Sequence, residues 1–276
     1  MLSAMALAHS AAGCAHAPVL SAGEGFDTPA GRFQLSYEPA DGQGAAMVRR
    51  AVVAAAPRLA SRWGALPAPV EIQVVPTHGH LERAVGRGEM PWMRAWAQRS
   101  EVQVQSPSTW LEGGASQAQA DELVLHELTH CLMYQLAAPE TGWQTKGIPA
   151  WFREGMASVT ADQAHRRGTL PDLKRAFCGA GQRSSKLLTG GAERRWEGEA
   201  AELVYAAAHH AFVFLLKRVG GDEAIRRLLS TMHVGLGFEE AFLAVAGVSR
   251  EAFEEEFRAF LCSERWKGEA PLAGPP

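Results

Sequence analysis

Apolar and polar residues alternate in three short segments of the first half of the chain, and apolar residues recur every three to four positions through most of the second. Phe33-Gln34-Leu35-Ser36-Tyr37 alternates as a half-buried strand does. Val70-Glu71-Ile72-Gln73-Val74-Val75 reads as a second strand ended by Pro76, and Glu101-Val102-Gln103-Val104-Gln105-Ser106 as a third closed by Pro107. Between the first two, residues 46–63 carry Val48, Val52 and Leu59 at helical spacing, with Pro57 as an expected kink. A short helix through Leu81 and Val85 follows the second strand. Farther on, Leu123, Val124, Leu125, Leu128, Leu132, Met133 and Leu136 wrap much of one helix in apolar side chains, the pattern of a buried element. Ile148, Phe152, Met156 and Val159 anchor the next helix, with Pro149 in its first turn. Helices are then predicted over 170–177, 199–219, 222–232, 238–245 and 250–262. In the last of these Phe253, Phe257 and Phe260-Leu261 form the dry face and Glu254-Glu255-Glu256 the wet one. The patterns predict an α+β chain, with a small N-terminal α/β subdomain holding a short mixed sheet over 26–112 and a mainly helical subdomain over 113–265. A leader over 1–25 and a tail over 266–276 flank them.

The buried helix carries His126-Glu127-Leu128-Thr129-His130. Four residues apart on a helix, His126 and His130 share one face, where both imidazoles can reach one zinc ion. Glu127 is turned by roughly 100° from His126 and can reach a zinc-bound water without being a ligand. Two histidines and a glutamate on a buried helix with no metal would be costly polar groups, so burial itself favours the metal reading over that of a core helix with two satisfied histidines.

Two imidazoles leave a zinc site open, and a third protein ligand is required. The metzincin completion would place Gly at 133 and His at 136, where this chain has Met133 and Leu136. That completion is excluded. Antiparallel packing of the next helix would carry Glu154 back to the histidine pair, with Gly155 and Ala157 permitting close helix approach. On spacing alone His165, Asp162 and Glu140 compete with Glu154.

The histidine pair followed by Pro149-Ala150-Trp151-Phe152-Arg153-Glu154-Gly155-Met156-Ala157 resembles the gluzincin peptidases, in particular the bacterial peptidase MA-like group. The likeness continues through Tyr205 in the next long helix, Gly237-Phe238-Glu239-Glu240-Ala241-Phe242 and Gly247-Val248-Ser249, and covers roughly residues 117 to 262. It implies a zincin-like fold with the active-site cleft between the two subdomains, and one zinc ion held by His126, His130 and Glu154. It also implies Glu127 as general base and Tyr205 as a donor to the oxyanion. His209, one turn beyond Tyr205 on the same helix face, is a candidate proton donor or support for that tyrosine. In zincins the strand before the histidine helix commonly rims the cleft, which assigns peptide binding to residues 101–106, with Val102 and Val104 as the substrate-facing candidates. Several gluzincins carry an acid four residues after the ligand glutamate. This chain has Ser158 there, which leaves the partner that orients a ligand histidine unidentified.

Composition narrows the alternatives. With 276 residues, 47% of them hydrophobic, the chain can bury a substantial core, and a formal net charge of −3 gives no electrostatic case for nucleic acid. Neither a Gly-x-Ser-x-Gly elbow nor a Gly-x-x-x-x-Gly-Lys-Ser/Thr phosphate loop is present. The expected activity is zinc-dependent hydrolysis of peptide bonds in a peptide or protein. The rival readings are a catalytically inactive zinc-binding envelope or scaffold protein and a zinc hydrolase of a non-peptide amide or ester. Small residues leading to Ala11-Ala12-Gly13-Cys14 resemble a lipoprotein processing site, with membrane attachment through a lipidated Cys14; Ala15-His16-Ala17 would serve a soluble secreted form instead. An exported protein is therefore expected, although no basic segment opens the leader and His9 interrupts its apolar part. The alternative is a cytoplasmic protein with an Ala-rich leader. In an oxidising compartment Cys178 and Cys262, near the ends of helical segments, can pair; Cys131 reads as a small core residue. The Gly- and Ser-rich stretch 179–198 is expected to be a lid or binding loop near the cleft.

Overall fold

A computed structural model of the chain describes residues 20, 23–88, 90–139, 147–163, 170–178 and 199–263. Cys14, Glu140, His165, the 179–198 stretch and the 266–276 tail lie outside the described residues.

Among the described residues five strands form one sheet in the order β1-β2-β3-β5-β4: β1 Glu24–Thr28, β2 Gly31–Tyr37, β3 Val70–Val75, β4 Ala95–Ala97 and β5 Glu101–Gln105. β1 begins inside the stretch set aside as a leader. β2, β3 and β5 run parallel, and the outer strands β1 and β4 pair antiparallel to β2 and β5. Parallel neighbours need a crossover, and helices supply both. α1 (Gly42–Trp63) joins β2 to β3, and α2 (His78–Val85) lies on the path from β3 to β5. Alternation works as predicted on β2, where Phe33 and Leu35 point into the core, and on β5, where Val102 and Val104 do.

Among the described residues the remainder is mainly helical: α3 Gln117–Ala137, α4 Ala150–Thr160, α5 Leu170–Phe177, α6 Glu199–Val219, α7 Asp222–His233, α8 Phe238–Ala246 and α9 Arg250–Cys262. α3 starts at a capping box that the sequence reading did not pick out. Ser116 Oγ accepts from the Gln119 backbone N–H, while Gln119 Oε1 accepts from Ser116 N at 2.9 Å. One large apolar core runs from Phe33 and Val48 through Leu128 to Phe212, Phe242 and Phe257, so the sheet and most of the helices share it, while Leu81 of α2 packs in a smaller cluster with Val75 and Met93.

α4 sits at the centre of that interior. Trp151 stacks on Phe253, with ring centroids 5.4 Å apart, and Phe152 meets Phe212 and Phe238 edge-on. Gly155 lets α6 approach: a Cβ there would lie 2.5 Å from Ala208 O and 2.7 Å from Phe212 Cβ. The carbonyl end of α4, which an isolated helix leaves unsatisfied, is taken up by α1. Arg58 donates to Thr160 O, Arg62 donates to Val159 O, and the Trp63 indole donates to Thr160 Oγ1 at 2.8 Å. Arg62 also pairs in two-pronged fashion with Asp222 on α7.

One expectation is met and one changes in α9 and its surroundings. Cys178 and Cys262 form a disulfide with Cα atoms 5.5 Å apart, joining the end of α5 to the end of α9. Glu254 is not on the wet face but almost fully buried, where Arg250 one turn earlier donates to its Oε1 at 3.0 Å and so gives the buried carboxyl group a hydrogen-bond partner. Among the described residues no helix is long and apolar enough to cross a membrane.

Candidate metal centre and cleft

The spacing on α3 brings His126 Nε2 and His130 Nε2 to 3.2 Å from each other. α4 then presents the Glu154 carboxylate to both, with Oε2 3.4 Å from His126 Nε2 and Oε1 3.7 Å from His130 Nε2. These three residues form a cluster that could hold a metal ion among the described residues. Of the competing third ligands, Asp162 is exposed and outside the cluster.

Hydrogen bonding fixes the chemistry of His126. Its Nδ1 lies 2.9 Å from Gln163 Oε1, and Gln163 Nε2 donates to Glu122 Oε1 at 3.1 Å. A carboxylate only accepts, so the amide must turn its NH2 toward Glu122 and its oxygen toward His126. His126 therefore carries its proton on Nδ1 and points the Nε2 lone pair at the cluster, as a ligand imidazole must. The orienting partner is thus an amide from the turn after α4, where Asp162 adopts a left-handed φ of 54° and Gln163 N donates to Ser158 O. Sequence reasoning missed Gln163. Its only signal was the absence of an acid at 158.

Burial, partly offset by Glu154 and reinforced by His126 and Arg153, lowers the His130 pKa to about 3. His130 is accordingly neutral, and its Nδ1 is buried with no hydrogen-bond partner among the described residues. The donor set suits a tetrahedral zinc ion. With Zn–N bonds of about 2.0–2.1 Å, ligand atoms lie roughly 3.3–3.4 Å apart, close to the separations found here. Two neutral nitrogens and one carboxylate leave a fourth position for water.

The cluster opens into a cavity of about 550 Å³, lined in part by Glu127, Tyr205, Tyr134, Arg153 and all of β4. Glu127 and Tyr205 therefore reach the same space as the three candidate ligands. The sequence reading erred on the rim. β5 is an interior strand, with its backbone engaged by β3 on one side and β4 on the other, and Val102 and Val104 are buried beneath the sheet. The edge beside the cavity is β4, where Ala95, Trp96 and Ala97 face it. Three residues are too few for alternation to be recognised. His209 does not line the cavity. Its Nδ1 lies 3.0 Å from Ser158 Oγ, on the side of α4 that packs against α6, which makes it a strut between helices and displaces the proton-donor reading.

The model of the peptidase MA superfamily matches residues 110–263, more than half of the chain. The chain belongs to that superfamily. The match spans every candidate ligand, Glu127 and Tyr205, and it bears out the gluzincin-type resemblance at the level of the family. Among solved structures, an M1 zinc metallopeptidase from Deinococcus radiodurans is 15% identical over 92% of this chain and 54% of its own length, with a TM-score of 0.45. The yeast LTA4 hydrolase in complex with bestatin is 13% identical over 92% of this chain and 40% of its own, with a TM-score of 0.48. This peptidase MA chain thus spans about half, or less, of the length of those proteins. No curated protein sequence matches it.

Proposed function

We propose that the protein is a zinc metallopeptidase in which His126, His130 and Glu154 hold the metal and Glu127 is the general base. The observation that carries this reading is the convergence of three ligand-competent groups, one with its tautomer fixed by Gln163, on a cavity that also receives Glu127. Zinc, when bound, polarises the scissile carbonyl and brings the pKa of a bound water toward neutrality. Glu127 takes the proton from that water and returns it to the leaving amine. Tyr205, from the opposite helix, donates a hydrogen bond to the oxygen on which charge develops. The peptide lies extended along β4, the sheet's edge strand among the described residues; this role replaces the one expected of Val102 and Val104.

Export is part of the same proposal. The Cys178–Cys262 disulfide supports it, because such bonds persist in oxidising compartments.

The test is Glu127→Gln. The variant is expected to retain one zinc per chain by metal analysis while its turnover of an unfolded protein falls by about 10²–10⁴-fold. Full activity in the variant would overturn the base assignment, and an absence of zinc in the wild type would overturn the whole reading.

A further inference from the structure

A polar pair is buried where α4 and α6 touch. Ser158 and His209 are both almost fully buried, and His209 Nδ1 lies 3.0 Å from Ser158 Oγ. The hydroxyl directs its one proton to Gly155 O at 3.3 Å, which leaves its oxygen to accept from Nδ1–H. Around the pair the contact is apolar and close: Gly155 meets Ala208 and Phe212, and Phe152 meets Phe212 edge-on. Such a contact fixes how near the helices come, but it is non-directional and tolerates a small rotation of one helix against the other. A hydrogen bond is directional, so the Ser158–His209 bond selects one rotation. Apolar groups of the same shape could replace both members at little cost in stability, so geometry is what the polar pair adds.

Both members are placed to transmit that rotation to the cleft. Ser158 stands four residues after Glu154 on α4, and His209 four after Tyr205 on α6. Four residues are about one helical turn, so each member lies on nearly the same helix face as the residue before it. Glu154 and Tyr205 line the cavity, and the Ser158–His209 bond crosses between their helices one turn behind them. The phenol hydroxyl stands far from the helix axis, so a rotation of α6 swings Tyr205 Oη farther than it moves the backbone.

We infer that the Ser158–His209 hydrogen bond is a positioning contact. It holds α6 at the rotation that sets the Tyr205 hydroxyl against the metal side of the cleft, so both residues act on turnover through Tyr205. The inference rests on the peptidase reading above, with Tyr205 as donor to the oxyanion.

Ser158→Ala deletes only a hydroxyl, His209→Leu removes the ring, and His209→Asn offers an amide where Nδ1 stood. Each change is made in the wild type and in Tyr205→Phe. Ser158→Ala and His209→Leu are each expected to lower kcat about tenfold or more, since a displacement of about 1 Å can cost 10²-fold, while KM and zinc content hold. His209→Asn should recover most of that loss. In the Tyr205→Phe background the same changes should have almost no further effect, because the group they position is gone.

A second readout needs neither metal nor turnover. The chain has 3 tyrosines, Tyr37, Tyr134 and Tyr205, and NMR of the metal-free protein with labelled tyrosine rings follows each, with Tyr205 assigned through Tyr205→Phe. Ser158→Ala should shift the Tyr205 signals and leave those of Tyr37 and Tyr134 in place. Equal losses of kcat in both backgrounds, or unmoved Tyr205 signals in Ser158→Ala, overturn the inference. A Tyr205→Phe variant as active as the wild type does the same. In each of these cases, zinc-dependent turnover that is lost in Glu127→Gln leaves the peptidase reading standing. Absence of turnover by the zinc-loaded wild type would overturn the peptidase reading, and the NMR comparison would still decide whether the bond positions Tyr205. Where a His209 variant fails to fold, Ser158→Ala carries the test.

Discussion

α3 and α4 supply the candidate metal centre by opposite means. α3 sets His126, Glu127 and His130 in place through its own helical period, and it starts at a self-contained capping box. α4 has no side-chain cap at its start, and the position of its single contribution, Glu154, is set from outside. α1 takes up its carbonyl end, α6 presses against Gly155, and aromatic rings from α6, α8 and α9 surround Trp151 and Phe152. Half of the centre is thus a local property of five residues. The other half depends on most of the fold.

The strongest way to break this asymmetry is Gly155→Ala. The added methyl would meet the Ala208 carbonyl, which is backbone and cannot rotate away, so α4 and α6 must separate. A loss of about 3 kcal/mol, the upper end for overpacking, is expected in denaturant unfolding of the metal-free protein. Zinc affinity should fall with it, because Glu154 moves while the histidine pair does not. An unchanged metal affinity in a destabilised variant would show that Glu154 is not positioned by this contact.

The next test sharpens the comparison at its one point of crossing. Gln163 belongs to the turn after α4, yet it fixes the tautomer of His126 on α3. Gln163→Ala is expected to weaken zinc binding about 10–100-fold, the usual cost of losing an orienting partner, in a chelator competition assay. Gln163→Glu keeps the acceptor for His126 but turns a second carboxylate oxygen toward Glu122, so it should recover only part of the loss. Equal affinities in all three proteins would mean that the helix alone orients His126.

The same division accounts for what could be read in the sequence. The α3 motif was legible because its geometry is local, and the helices of the second half because their apolar period is long and regular. Glu154 was legible only through the family pattern that follows the histidines, since spacing left Glu140, Asp162 and His165 in contention. β4 and Gln163 were not legible. A three-residue strand carries no periodicity, and an amide that replaces an acid at a different position leaves no motif. His209 shows the converse error. Its helical spacing from Tyr205 was read correctly, but the cavity faces Tyr205, and His209 is turned into the α4 contact.

Glu254 is the smallest instance of the same effect and can be isolated by pH. Its place among three glutamates spoke for a wet face, but packing buries it, and its Oε2 has no hydrogen-bond partner among the described residues. Burial raises its pKa from 4.5 to about 7, with Arg250 opposing the shift and Glu251 and Glu239 adding to it. Between these two values the folded chain keeps a proton that the unfolded chain has released. The favourable contribution of this group is therefore complete below about pH 4.5 and is lost as pH rises through about 7. Glu254→Gln stays neutral throughout, so its stability relative to the wild type should rise across that window by on the order of 1–2 kcal/mol. Urea unfolding of both proteins at pH 5 and pH 8 measures the difference. An offset equal at the two pH values would mean that Glu254 keeps its charge in the core, with the Arg250 pair outweighing desolvation.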